Sequence, residues 1–235
     1  MEPNHLYQFS LLNALMSGVC STGITVKDFS QKGTQGIGTF AHMDGELVFL
    51  SGKVYQLQAS GTVREAGPDE LVPFAVSTHF VPQVTRSDVR LDGKGSIETV
   101  IEDSVQESAN LFVTWRVEGR FRRLKCRTVR GQQYEGQPLS ELGKTQTVEE
   151  YDDICGTIIG FRSPAYYQGF GVAGEHLHFI SADRQRGGHV LEIEAEGVEM
   201  QMAVASNIHI ELPTSADFNN AKLQTDDEGV KAVEG

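Results

Sequence analysis

The alternation of apolar and polar positions starts in a helical rhythm and then changes. Leu6-Tyr7-Gln8-Phe9-Ser10-Leu11-Leu12-Asn13-Ala14-Leu15-Met16-Ser17 predicts an amphipathic helix, capped by Asn4 and ended by Gly18. Thr25 to Gly33 predicts a second, short helix, with Asp28 placed three residues after Thr25. Glycines and β-branched residues then take over. Glu46 to Leu50 and Val54 to Leu57 flank Ser51-Gly52-Lys53 as a hairpin. Pro73 to Phe80 predicts a strand. Leu111 to Val117 and Phe121 to Val129 predict a second hairpin around Glu118-Gly119. Thr145 to Asp152 predicts a short helix. Cys155 to Phe161, Gly174 to Ser181, His189 to Glu194 and Met202 to Leu212 predict strands, and Ser215 to Leu223 a last short helix. The tail from Gln224 to Gly235 has the polar composition of a disordered end.

Strands and short helices mix without a regular βαβ alternation, which predicts an α+β fold. Gly45 to Ser51 echoes Gly174 to Ser181, and Gly38-Thr39-Phe40 echoes Gly156-Thr157-Ile158. As an internal sheet repeat, this echo predicts two subdomains on mixed sheets. They would span residues 1–140 and 141–235, the second carrying the histidine-rich segment and the tail.

Composition changes this picture in three ways. The 235 residues carry 20 Lys plus Arg against 32 Asp plus Glu, a net charge of −12. That balance disfavours nucleic acid and anionic membranes as partners. Apolar runs such as Leu47 to Leu50 are too short to span a bilayer, and Met1-Glu2-Pro3-Asn4-His5 lacks the pattern of a signal peptide, so a cytoplasmic protein is expected. Cys20, Cys126 and Cys155 form no CxxC pair, which predicts reduced, buried thiols.

The sharpest chemistry lies in Gly174-Glu175-His176-Leu177-His178-Phe179-Ile180-Ser181-Ala182-Asp183-Arg184-Gln185-Arg186-Gly187-Gly188-His189. On a strand, His176 and His178 point to one face. A hairpin symmetric about positions 183 and 184 puts His178 opposite His189. Three imidazoles then converge, the ligand set of an open catalytic zinc site, although imidazole suits copper and iron too. His5, His42, His79 and His209 have no such partners in sequence. Residues 116 to 130 carry Arg116, Arg120, Arg122, Arg123, Lys125, Arg127 and Arg130. Most of these read as a solvated or salt-bridged strand face; one arginine turned inward would make a carboxylate clamp. Glu46, after Asp44-Gly45 at the head of an apolar strand, stands out modestly among the carboxylates.

In this order, the elements resemble the bacterial α-acetolactate decarboxylases over nearly the whole chain. The resemblance runs through Leu6 to Ser10, Gly36-Ile37-Gly38-Thr39-Phe40, Asp44-Gly45-Glu46-Leu47, Tyr55-Gln56, Pro73-Phe74-Ala75-Val76, Arg127-Thr128-Val129 and Gly156 to Phe161. The most specific block is Gly174 to Val190. The resemblance implies zinc ligands at His176, His178 and His189, an active-site arginine at Arg127, and active-site glutamates at Glu46 and, near the C-terminus, Glu234. The chain departs from the family at Arg130, where a proline is usual. The implied reaction converts (S)-2-acetolactate to (R)-acetoin and carbon dioxide, with zinc stabilising the enediolate and a glutamate delivering the proton. A homodimer is implied as well. Two other readings of the histidines compete. One is a cupin-like metal-dependent oxygenase or isomerase, although the glutamate expected shortly after HxH is replaced by Ala182 or Asp183. The other is a non-catalytic binding module stabilised by its metal.

Overall fold

The computed structural model describes residues 2–224 and Val230. Its strands, in chain order, are β1 (Leu6–Phe9), β2 (Ile24–Thr25), β3 (Gln35–Thr39), β4 (Glu46–Leu50), β5 (Lys53–Leu57), β6 (Val63–Glu65) and β7 (Leu71–Val72). They continue as β8 (Phe74–Thr78), β9 (Val84–Asp92), β10 (Phe112–Thr128), β11 (Thr147–Ser163), β12 (Gly174–Ser181), β13 (Gly187–Ala205) and β14 (Ile208–Glu211). The helices are short: α1 (Leu12–Met16), α2 (Val26–Phe29), α3 (Gly95–Ser104), α4 (Leu139–Leu142) and α5 (Ala216–Asn220). The fold is α+β.

A seven-stranded sheet runs in the order β14-β1-β8-β3-β4-β5-β6. A second sheet holds β10-β11-β12-β13-β9. In it β10 also pairs with β13, so β10 to β13 close into a ring and β9 joins β13 outside it. The two sheets meet through Ile37, Val48, Leu57 and Val76 from the first and Ile159, Phe161 and Ile180 from the second. A larger cluster behind the second sheet surrounds Trp115, Phe121 and Phe179 and takes in Ile97 and Ile101 of α3. Each such fully buried side chain contributes about 1.5–3 kcal/mol. Packing there is close enough that a Cβ added to Gly160 would lie 2.0 Å from the Trp115 ring.

Several expectations from the sequence are met. Thr25 caps α2, its hydroxyl accepting from the Asp28 amide at 3.1 Å. β4 and β5 pair as a hairpin, Leu50 opposite Lys53, with Ser51 and Gly52 both at positive φ as a tight turn requires. The echoed segments Gly45 to Ser51 and Gly174 to Ser181 become β4 and β12, in facing sheets.

Others are corrected. The helix expected from Asn4 to Gly18 divides into β1 and α1. Leu6 to Phe9 are all buried between β8 and β14, and Asn4 ties itself to both backbone groups of Val81. The hairpin expected at Glu118-Gly119 is a continuous β10. Gly119 marks an irregularity of register rather than a turn, and a side chain there would strike Val198. The helix expected from Thr145 to Asp152 is largely the first half of β11. Its carboxylates are drawn into the sheet by facing cations, Glu150 by Arg123 and Asp153 by Arg120. Met202 to Leu212 is broken at Ser206-Asn207, where the chain passes from β13 in one sheet to β14 in the other. β9 and α3 were not anticipated. Cys155, expected buried, faces outward on β11 and is exposed. Cys20 and Cys126 are buried, and burial pushes the Cys20 thiol up to about 12. The sheets also cross residue 140: β9 and β10 belong to the second sheet, and β14 returns to the first. Within the expected disordered tail, Val230 is buried at 3% exposure; residues 225–229 and 231–235 lie outside the described residues.

Candidate metal centre and active site

Register alone assembles most of the site. His189 on β13 is paired with His178 of β12 on one side and with Arg127 of β10 on the other. Directly paired antiparallel residues share a face, so Arg127, His189 and His178 form a row across three adjacent strands. His176 joins them two residues earlier on β12. The hairpin expected from symmetry about positions 183 and 184 is therefore present in the expected register. Its close approach to β10 depends on Gly188, at φ +156, where a Cβ would lie 2.7 Å from the Arg127 carbonyl.

The three imidazoles converge. Their ring centroids are 5.1 to 5.4 Å apart, and one ligand atom from each lies within 4.8 Å of the others. Among the described residues, this is the group placed to hold a metal ion. The backbone aims His178: its Nδ1 lies 2.9 Å from the Leu47 carbonyl, to which a protonated Nδ1 donates. That bond leaves Nε2 as the lone-pair nitrogen, buried and without a hydrogen-bond partner among the described residues. A buried basic nitrogen with no donor facing it is what a metal ion would satisfy. The donors are also in the right protonation state. Burial lowers all three histidines, His176 and His189 well below the usual imidazole range and His178 to about 3; the neighbouring Arg127 acts in the same direction. Neutral imidazoles are metal ligands. The residues present therefore fit a divalent metal.

The facing sheet supplies the carboxylate. Glu46 stands at the head of β4, on the same face as Val48 and Leu50, and only 5% of it is exposed. Its Oε1 accepts from Arg127 Nη1 at 2.8 Å, and its Oε2 lies 3.6 Å from His178 Nε2. Arg127 is the one member of the basic stretch turned inward and fully buried. Five of the others form ion pairs on the strand face: Arg116 with Glu118, Arg120 with Asp153, Arg122 with Glu194, Arg123 with Glu150 and Lys125 with Glu192. Glu234 lies outside the described residues. The loop before Glu46 is strained, with His42, Met43 and Gly45 all at positive φ. Gln56 Nε2 holds it by donating to the Asp44 carbonyl and carboxylate at 2.7 and 3.0 Å.

Between His176, His178, Glu46 and Arg127 is a small cavity. Its other wall is apolar: Leu12 and Leu15 of α1, Met43, Phe74, Val129 and Leu139. Val230 packs into the same cluster. Sequence reasoning missed this wall, because apolar side chains carry no chemical signature; Phe74 and Val129 did fall in segments flagged by the family resemblance.

A sequence model of alpha-acetolactate decarboxylase matches residues 6–225. The chain belongs to the alpha-acetolactate decarboxylase family. It is 37% identical over 231 residues to the alpha-acetolactate decarboxylase of Raoultella terrigena, covering 97% of this chain and 89% of that protein. It is 35% identical over 236 residues to that of Bacillus subtilis, covering 99% and 91%. The crystal structure of the alpha-acetolactate decarboxylase from Bacillus subtilis superposes with a TM-score of 0.93, covering 98% of this chain and 99% of the other. Family membership makes this chain an enzyme, a decarboxylase. Among the described residues no helix is long and apolar enough to cross a membrane.

Proposed function

We propose that the chain converts (S)-2-acetolactate to (R)-acetoin and carbon dioxide at a zinc ion held by His176, His178 and His189. The observation that carries this reading is the Arg127–His189–His178 row with Glu46 lying against it. An oxygenase of cupin type or a purely structural metal module would not need a buried Arg127–Glu46 pair at the metal ligands.

His176, His178 and His189 would hold the metal, which when bound would supply Lewis-acid chemistry to the ketone side of the substrate. The chain's own residues do the rest. Arg127 offers a buried cationic fork to the negative charge on oxygen, in a site from which bulk water is excluded. The apolar wall receives the two methyl groups. The reaction consumes one proton: acetolactate anion plus a proton gives acetoin plus carbon dioxide. Glu46, whose Oε2 lies 3.6 Å from His178 Nε2, takes up that proton and passes it to the carbon vacated by carbon dioxide. Delivery from one face sets the configuration of the product. Glu234 is proposed as the second carboxyl. A homodimeric assembly and a cytoplasmic location go with this reading on family resemblance alone.

Glu46→Gln keeps the shape and removes the proton. Turnover should fall about 10²–10⁴-fold with bound metal unchanged, and the residual acetoin should lose its enantiomeric excess. Unaltered turnover and chirality would remove Glu46 from the reaction.

A further inference from the structure

Beside the metal site lies a second small cavity. It lies between the two sheets and is lined by Gln8, Val76, Phe112, Phe161, Tyr167 and Ile208, among others. Two side chains border both cavities, Phe74 and His176. His176 is a member of the ligand group; Phe74 is the apolar side chain that, among the described residues, lines both cavities. It sits at the start of β8, opposite Thr39 of β3, and is 3% exposed. It lines the first cavity together with Leu12, Leu15, Met43, Val129 and Leu139, the apolar lining left for the alkyl group of the substrate, since the rest includes imidazoles, guanidinium and carboxylate. The space beyond is already apolar on most sides, with Gln8 and Tyr167 engaged to one another at 2.8 Å and so not free to bind a new polar group.

We infer that Phe74 determines how long an alkyl group the site accepts on the carbinol carbon, by separating the substrate cavity from an apolar cavity behind it that would hold a longer chain. This rests on the decarboxylase reading above. A methylene gained or lost in an apolar pocket is worth roughly 10-fold or more in specificity. Shortening Phe74 joins the two cavities and should turn that discrimination round. The same step is catalysed throughout: the bond to the carboxyl carbon breaks, carbon dioxide leaves, and one proton is taken up at carbon.

The test compares wild type with Phe74→Leu on 2-hydroxy-3-oxobutanoates bearing a methyl (acetolactate itself) or a propyl group on carbon 2. In parallel, calorimetry measures binding of the same pair with the ketone reduced to an alcohol, probes that have no electron sink and so are not decarboxylated. Wild type should prefer methyl over propyl by about 10-fold or more. The variant should raise the propyl-to-methyl ratio of kcat/KM by about 10-fold or more, with the propyl probe gaining affinity relative to the methyl probe. An unchanged ratio in a variant that melts cooperatively and keeps its metal would overturn the inference, as would a wild type indifferent to chain length. If Phe74→Leu does not fold, Phe74→Met, unbranched and more flexible, replaces it under the same criteria. Should acetolactate prove not to be a substrate, the decarboxylase reading fails, while the binding arm still reports on the partition.

Discussion

His178→Ala is expected to lose metal and acetoin formation together. The imidazole is buried, its Nδ1 is committed to the Leu47 carbonyl, and its Nε2 has no hydrogen-bond partner among the described residues. Removing it leaves two ligands where an open site needs three. Loss of the Lewis acid forfeits several kcal/mol of transition-state stabilisation, and about 4 kcal/mol corresponds to ~10³-fold in rate. Elemental analysis should find bound zinc in the wild type and little in the variant. The control is His209→Ala: His209 is exposed and stacks on Tyr7, away from the other histidines. It should keep both metal and turnover. A His178→Ala protein that retains full activity without metal would contradict the assignment.

Arg127→Ala should have the second largest effect. Arg127 is 2% exposed and donates to Glu46 at 2.8 Å. Its loss takes the positive charge from a site built to bind an anion, and leaves a buried carboxylate with one cation fewer. Removing a preorganised donor to a developing oxyanion costs about 10²–10³-fold in turnover. Breaking a buried ion pair by removing one partner also destabilises by about 3–5 kcal/mol, so the melting temperature should drop. Arg127→Lys separates the two effects. It keeps the charge but loses the planar fork, so it should recover much of the stability and little of the rate. If both variants turn over acetolactate at the wild-type rate, Arg127 is structural. By contrast, Arg123→Ala on the same strand removes an exposed pair with Glu150 and should leave activity and melting nearly unchanged.

The site was more legible in the sequence than the fold. HxH on a strand, a polar turn and a third histidine at the mirrored position define a convergence by period and register alone, and His178 does face His189. Arg127 could not be separated from its six basic neighbours by composition, since the choice depends on which side chain points between the sheets. The family resemblance made that choice, and the pairing of Arg127 with His189 gives its physical reason. Local errors arose where tertiary pairing overrode local preference. Leu6 to Phe9 has a helical pattern of apolar residues, yet two neighbouring strands bury it as β1. Thr145 to Asp152 reads as a short helix until β10 places cations opposite it, Arg123 against Glu150 among them. Glycine misled at Gly119, which provides close approach to Val198 rather than a turn. β9 stayed hidden because most of it is exposed and polar, with only Val89 and Leu91 buried. The Leu47 carbonyl that orients His178 is a backbone group, which no residue-type pattern could reveal.

The acidity of the chain takes on a sharper meaning beside this site. A net charge of −12 surrounds a buried arginine and a group of neutral imidazoles suited to a divalent cation. On the proposed reading, a divalent cation on these imidazoles together with Arg127 would outweigh the charge of Glu46 and give the site a sign opposite to that of the protein, as suits an anionic substrate.

The most direct test of the central claim uses the purified full-length chain and (S)-2-acetolactate, with acetoin followed by a colour reaction. The protein is assayed as isolated, after removal of metal by a chelator, and after return of one equivalent of zinc. Acetoin should form, stop on chelation and resume with zinc, and the product should be the (R) enantiomer. Absence of acetoin from metal-replete, folded protein, or undiminished acetoin from protein stripped of metal, would contradict it.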